Sequence, residues 1–305
     1  MSNQPPIVEI RGLSKRFKDK QALDQVSLDL YAGRIIGLLG ANAAGKSTML
    51  RHIIGLYLPD QGTCTTFGTE AGKLGPNELA RIGYVHQEGQ LIDWMTVGQL
   101  IRYVRAYYPN WDLGLEERYV ADYEIDLKDR VGALSPGQRQ KLAILLAIGH
   151  QPQLLILDEP ASALDPLARA QFLDLLLQLI QHEDRTIVIS SHILSDVEKV
   201  IDHVVIMDQG RILVDCTLDD LRERFCRIRL TSLEGPLPRS LPFRNVVAGQ
   251  QNNGQAVLTI ENPSPEHLKA QAEGLQCDIE IQAMPLEDLY KVVMTGSGSH
   301  REVRP

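Results

Sequence analysis

The sequence predicts an α/β fold: a mixed sheet with helices around it, an antiparallel β layer ahead of it, an inserted helical subdomain and a small C-terminal α+β domain. Three observations predict this. First, three short apolar runs (Arg34–Leu39, Leu154–Leu157 and Thr186–Ile189) read as buried parallel strands, and each leads into glycine or polar side chains. Second, a glycine-rich loop and an amphipathic run follow the first of them. Third, the chain has 305 residues, 44% hydrophobic and 23% charged, enough for one large domain and a smaller one.

Residues Ile7 to Leu30 alternate short apolar runs with turns, the pattern of an antiparallel layer. Phe17 lies among Lys15, Arg16, Lys18 and Asp19. That is an odd setting for a core aromatic and fits a platform for a nucleobase, although an edge-strand aromatic covering its neighbours fits too. The loop Gly40-Ala41-Asn42-Ala43-Ala44-Gly45-Lys46-Ser47-Thr48 has two glycines five residues apart followed by Lys and Ser, the phosphate-binding loop pattern. A strand feeding a helix through such a loop aims backbone N–H groups and the positive helix end at one point. Lys46 is placed to reach the β- and γ-phosphates of a nucleoside triphosphate, and the Ser47 hydroxyl to ligate Mg²⁺.

Gly83-Tyr84-Val85-His86-Gln87 ends another apolar run in a polar side chain. From Tyr84 to Tyr123 the chain carries eight of its sixteen aromatics. They fit both the core of a helical subdomain and a docking face. Ser135-Pro136-Gly137-Gln138 opens a helix, with Ser135 as N-cap, Pro136 in the first turn and Gln138 completing a capping box. Leu154–Leu157 ends in Asp158 and Glu159. Adjacent carboxylates repel unless a cation or separate roles divide them. Asp158 suits a Mg²⁺ ligand through water, and Glu159 a base that orients water. A turn through Asp165 follows, then a helix, then the strand Thr186–Ile189 leading to His192. A lone histidine is more often structural than catalytic, and only its company raises it.

After a hairpin over 204–214, Leu218 to Phe225 reads as a helix, and Ser232 to Pro242 holds three prolines and a glycine. Beyond that break a β-β-α-β-α order is expected, with residues 295–305 disordered. The expected divisions are 1–220, containing a helical subdomain at about 88–150, then 221–294 and the tail. A formal net charge of −8 argues against a nucleic-acid partner. Cys64, Cys216, Cys226 and Cys277 lack disulfide or metal spacing and read as reduced cytosolic thiols. The polar start is not that of a secretory signal, and no apolar run approaches the roughly 20 residues of a spanning helix.

Taken together, these stretches resemble the ATPase subunits of ABC transporters over about the first 220 residues. Phosphate loop, Gln loop, signature segment, acid-ended strand, Asp-bearing turn and terminal histidine occur in that family's order. The resemblance implies a P-loop NTPase core that binds ATP and Mg²⁺. Lys46, Ser47 and Thr48 would hold the phosphates and metal. Gln87 would sense the Mg²⁺ and the attacking water while touching a membrane partner. Glu159 would orient the water, and His192 would contact the γ-phosphate. It further implies a head-to-tail homodimer or pseudo-dimer. Ser135, Gly137 and Gln138 of one copy would then face the ATP of the other, with Asp165 beside the seam. The partner would be a transmembrane permease, which places the chain on the cytoplasmic face of the inner or plasma membrane. The ending Pro285-Leu286-Glu287-Asp288-Leu289-Tyr290 is similar to that of exporter-type members. Two departures stand out: Ala43 and Pro136 occupy positions where the family commonly has glycine. Proline removes one N–H that could face a phosphate, which implies reduced but real turnover. The rival readings are an ABC-type ATPase acting on ribosomes or DNA, and a P-loop kinase passing the γ-phosphate to a small acceptor.

Overall fold

The computed structural model describes residues 5–87, 91–161, 164–180, 185–238 and 240–297. It divides into two compact units, Met1–Asp215 and Cys216–Pro305. The first unit opens with β1 (Val8–Phe17) and β2 (Lys20–Leu30), an antiparallel pair. Next come β3 (Ile35–Leu39), α1 (Lys46–Ile53), β4 (Gln61–Thr66), β5 (Thr69–Glu70) and the short α2 (Pro76–Leu79). β6 (Ile82–Val85) leads to three helices: α3 (Val97–Arg105), α4 (Leu113–Asp122) and α5 (Pro136–Ile148). The unit closes with β7 (Leu154–Asp158), α6 (Pro166–Ile180), β8 (Thr186–Ser191), α7 (Leu194–Val197), β9 (His203–Asp208) and β10 (Arg211–Thr217), whose last two residues pass the division.

Two sheets result. One has the order β2-β1-β4-β5, and the other β10-β9-β3-β8-β7-β6. In the second, β6, β7, β8, β3 and β9 are parallel neighbours. β3, β7 and β8 are buried along their whole length, which is why their sequences read as unbroken apolar runs. β9 and β10 form a hairpin whose two loop residues, Gln209 and Gly210, both have positive φ (46° and 79°), as a tight hairpin turn requires. One apolar cluster joins both sheets to α1, with Ile10, Leu13, Leu23, Leu38, Met49, Leu50, Ile156 and Met207 in its interior.

The aromatics of the helical region divide by burial. Tyr119 and Tyr123 stack at 4.3 Å inside it, while Trp94, Tyr103 and Tyr107 are exposed. Tyr107 and Tyr108 follow the end of α3 without continuing the helix.

The second unit holds α8 (Leu218–Arg224), β11 (Phe225–Ser232), β12 (Val246–Asn252), β13 (Gln255–Glu261), α9 (Pro265–Gly274), β14 (Cys277–Gln282) and α10 (Leu286–Ser297). Its sheet is ordered β12-β13-β11-β14 and is antiparallel throughout. Beyond the proline-rich break the order β12, β13, α9, β14, α10 is the β-β-α-β-α expected; the strand the sequence reading lacked, β11, lies before that break and pairs with both β13 and β14. Residue 220, the expected end of the first domain, lies inside α8. The expected disordered tail differs as well: residues 295–297 continue α10, and 298–305 lie outside the described residues.

Cys226, Ile228 and Leu230 of β11 face Ala256, Leu258 and Ile260 of β13 within one core that includes Leu268 and Ala272 of α9. Ile228 is fully buried, so Ile228→Ala is expected to destabilise this unit by about 2–5 kcal/mol. Hydrogen exchange checks it: amides of β11, β13 and β14 should exchange faster while those of β3, β7 and β8 do not. Unchanged protection in β11 would contradict its central place.

Candidate functional site

The site is built where β3, β7 and β8 end side by side, the place where open α/β sheets bind ligands. Parallel register sets Leu39 beside Ser191 and Asp158 beside Ser190. The loop from Gly40 to Gly45 leaves β3 here and turns into α1. Two of its glycines are sterically required. A Cβ on Gly40 would lie 2.5 Å from the Met207 carbonyl oxygen, and one on Gly45 (φ 108°) 2.6 Å from that of Ala22. Ala43 also has positive φ (67°), so its Cβ occupies a left-handed position that glycine takes without penalty.

Lys46 opens α1 with its side chain buried. Its ammonium donates to the carbonyls of Gly40 (2.7 Å) and Ala41 (3.3 Å) and lies 3.8 Å from Glu159 Oε1. Burial lowers its pKa from the ordinary lysine value, opposed by the negative charges of Glu159 and Asp158. An ammonium at this point is a ready partner for phosphate oxygens.

Asp158 is fully buried at the end of β7. Its Oδ1 accepts hydrogen bonds from Ser47 Oγ (3.0 Å) and Ser190 Oγ (2.7 Å), whereas Oδ2 is buried with no hydrogen-bond partner among the described residues. A buried carboxylate oxygen left without a donor is the kind of group a cation satisfies. Among the described residues, no group of three or more His, Cys, Asp or Glu side chains could hold a metal. A metal here would draw instead on one carboxylate, a serine hydroxyl, water and phosphate oxygens, which is the ligand set Mg²⁺ favours. The residues present fit that ion.

Glu159 follows in a left-handed backbone conformation (φ 52°), rare for a non-glycine residue. Its N–H donates to the carbonyl (3.2 Å) and hydroxyl (3.0 Å) oxygens of Ser190. Its Oε2 lies 2.7 Å from His192 Nδ1. An ionised carboxylate can only accept, so this contact puts the ring proton on Nδ1 and leaves Nε2 for another partner. The His192 side chain is about half exposed, whereas that of Glu159 is buried.

Around these groups lies a cavity of about 340 Å³ lined by Phe17, Lys20, Ala22, residues 42–48, Gln87 and Glu159. Phe17 is partly exposed on this wall and meets Tyr57 edge to face at 5.3 Å. Ser135, Gly137, Gln138 and Asp165 do not line it. The first and third of these close a capping box: Ser135 Oγ accepts from Gln138 N (3.3 Å) and Gln138 Oε1 from Ser135 N (2.9 Å), with Pro136 starting α5. Asp165 Oδ1 accepts from Ala168 N (3.0 Å) and Leu167 N (2.9 Å) at the start of α6, and these bonds, the one from Ala168 foremost, hold its carboxyl below the usual aspartate pKa. The turn residues Ser162 and Ala163 lie outside the described residues.

Sequence reasoning missed Ser190, which touches both acids, and Lys20 on the cavity wall. A serine ending the apolar strand next to the acid-ended one was the available signal for Ser190; nothing in the sequence set Lys20 apart.

Two substitutions test this geometry. Ala43→Gly should raise stability by up to about 1 kcal/mol, since the left-handed Cβ costs about 1–2 kcal/mol and glycine returns about 0.5–1 kcal/mol in backbone entropy. A lower denaturant midpoint for this variant would show that the Ala43 Cβ makes contacts outweighing its strain. Ser190→Ala should lose about 1–3 kcal/mol, because it strips a donor from buried Asp158. It should also lower kcat for ATP more than it raises KM, and parent values of both would remove Ser190 from the site.

Comparison with known proteins gives the family. The ABC transporter family profile matches residues 23–162. The ABC transporter ATP-binding protein YtrB of Bacillus subtilis is 32% identical over 224 residues, covering 73% of this chain and 76% of that protein. The Nod factor export ATP-binding protein I of Rhizobium sp. strain N33 is 28% identical over 297 residues, 93% of this chain and 95% of its own length. Among solved structures, an ATP-binding subunit of an ABC transporter superposes with a TM-score of 0.64 at 29% identity, covering 71% of this chain and 92% of that one. The chain belongs to the ATP-binding proteins of ABC transporters and is an ATPase of that family.

Proposed function

We propose that this chain hydrolyses ATP as one half of a head-to-tail dimer and drives export through a separate membrane-spanning partner, working at the cytoplasmic face of the membrane. The observation that carries the dimer is the division of the site. Phosphate loop, Gln87, Glu159 and Phe17 share one cavity, while the Ser135–Gln138 helix start contributes nothing to it. A helix N-terminus that completes a phosphate site has to find it on a second copy. Asp165 lies beside that seam. Residues up to 215 are the ATPase domain, with the helical subdomain between about 88 and 150, and the unit that starts at residue 216 is a separate α+β domain.

In this reading Phe17 stacks on the adenine. The N–H groups of the loop from Gly40 through Asn42, Ala43, Ala44 and Gly45, with Lys46 and Thr48, take the phosphates. Ser47, Asp158 and Gln87 would hold Mg²⁺, which when bound would neutralise charge on the phosphate oxygens. Water attacks the γ-phosphorus, the bond to the β,γ-bridging oxygen breaks, and Glu159 accepts the water's proton. The Nδ1–H of His192 steadies that carboxylate, and a second proton on Nε2 would let the imidazolium donate to a γ-phosphate oxygen.

Export is supported by the relative named for Nod factor export, whose similarity runs through the second unit. Among the described residues no helix is long and apolar enough to cross a membrane, so a membrane step calls on another chain. A groove of about 470 Å³ lined by Ile54, Leu56, Leu79, His86, Tyr108 and Leu146 is the seat we assign to that partner. Leu56 and Leu79 stand exposed on it, 62% and 43% accessible.

Glu159→Gln tests the reading. Loss of the base should slow hydrolysis by about 10²–10⁴-fold. The retained γ-phosphate should then convert monomer into dimer when ATP is added, read by light scattering. Hydrolysis at the parent rate would strip Glu159 of its role, and a variant that stays monomeric with ATP bound would refute the shared site.

A further inference from the structure

Gln87 lies two residues beyond Val85, the last residue of β6, and is exposed. It lines the ATP cavity, whereas its neighbour His86 lines the apolar groove. What fixes this junction comes from another element. Arg51, in the last turn of α1, places Nη2 2.7 Å from His86 Nε2 and donates from Nη1 to Tyr57 Oη at 2.9 Å. Arginine has no acceptor, so the imidazole nitrogen must accept, and the histidine on this contact carries its proton on Nδ1. A planar guanidinium with both terminal nitrogens engaged has little freedom left. α1 begins at Lys46, so the element that carries the phosphate lysine also grips the residue before Gln87.

We propose that Arg51 is a positioning residue for Gln87, acting through its hydrogen bond to His86. Arg51 lines neither the ATP cavity nor the groove and acts on the reaction only by holding the end of β6 against α1. The inference rests on the proposed role of Gln87. Because His86 faces the groove, a partner that seats there and moves the imidazole shifts Gln87 at the ATP cavity through one peptide link.

The test is steady-state ATPase kinetics on the full chain. Arg51→Met and His86→Leu should each lower kcat roughly tenfold, the worth of one charge-assisted hydrogen bond, with KM for ATP within about twofold of the parent. His86→Gln, whose amide oxygen can accept from Arg51, should keep near-parent kcat; this rescue would not follow if His86 only filled space. In the Gln87→Ala background, Arg51→Met should cause no further loss, because the guanidinium then has nothing to position. Should Arg51→Met fail to fold, the His86 pair carries the same comparison. Parent kcat in Arg51→Met, equal losses in His86→Leu and His86→Gln, or additive losses in the double variant would each overturn the proposal. If Gln87→Ala slows hydrolysis while Arg51→Met and His86→Leu do not, the positioning role falls alone. If Gln87→Ala also turns over at the parent rate, the assigned role of Gln87 falls with it.

Discussion

The site depends on a carboxylate in a place where carboxylates are expensive. Asp158 is fully buried, and among the described residues one of its oxygens accepts from two hydroxyls and the other from none. Removing such a charge from water is tolerated only when something in the working cycle compensates it. The three elements that meet there, α1 through Ser47, β7 through Asp158 itself and β8 through Ser190, are brought together by parallel register. A one-residue slip of β8 against β7 would turn Ser190 to the opposite face and leave the acid with a single donor. The apolar sheet is therefore as much a part of the site as its polar ends. Continuous burial of β3, β7 and β8 is what makes the register unambiguous.

Much of this was legible in the sequence, because the site is made of local patterns at strand ends. The loop from Gly40 to Thr48, the acids after Leu157 and the capping box at Ser135 are each contained within a few residues, and each took the local form its residues dictate. What escaped was non-local. Ser190 matters because it faces Asp158 across a strand pair, and no window of sequence holds both residues. Arg51 and His86 are 35 positions apart. β11 is a different kind of miss, since Cys226, Ile228 and Leu230 alternate with Arg227, Arg229 and Thr231, a clear period of two. It was hidden by running straight on from α8 with no turn residue to mark the change, and the proline-rich break further on drew the boundary instead.

The aromatic-rich segment between Tyr84 and Tyr123 shows how one composition serves two ends. Tyr119 and Tyr123 stack in the interior, and the Tyr119 hydroxyl donates to the Lys141 carbonyl at 3.0 Å, tying α4 to α5. Trp94 and Tyr107, 70% and 66% exposed, lie on the other side of that balance. Burial of part of the aromatic set fixes the subdomain, which then presents the remainder. Aromatics carry large area at small conformational entropy, which makes them useful for both tasks and makes composition alone unable to separate them.

Backbone strain separates the two unusual residues of the ATP cavity. Ala43 and Glu159 both have positive φ, at about the same expected penalty of 1–2 kcal/mol. At Glu159 the surroundings over-determine the conformation: Ser190 takes the N–H with two oxygens while Lys46 and His192 flank the carboxylate. Strain held by that many partners is the kind found where a side chain must be presented in one orientation. At Ala43 the side chain is an exposed methyl that can make no such bonds, so its penalty has no visible return in the chain alone. The same departure from glycine occurs at Pro136, where the loss of an N–H is offset by a preformed helix start. The two substitutions therefore act in opposite senses. Pro136 rigidifies the segment we propose to meet a second copy's phosphate, and Ala43 burdens the phosphate loop.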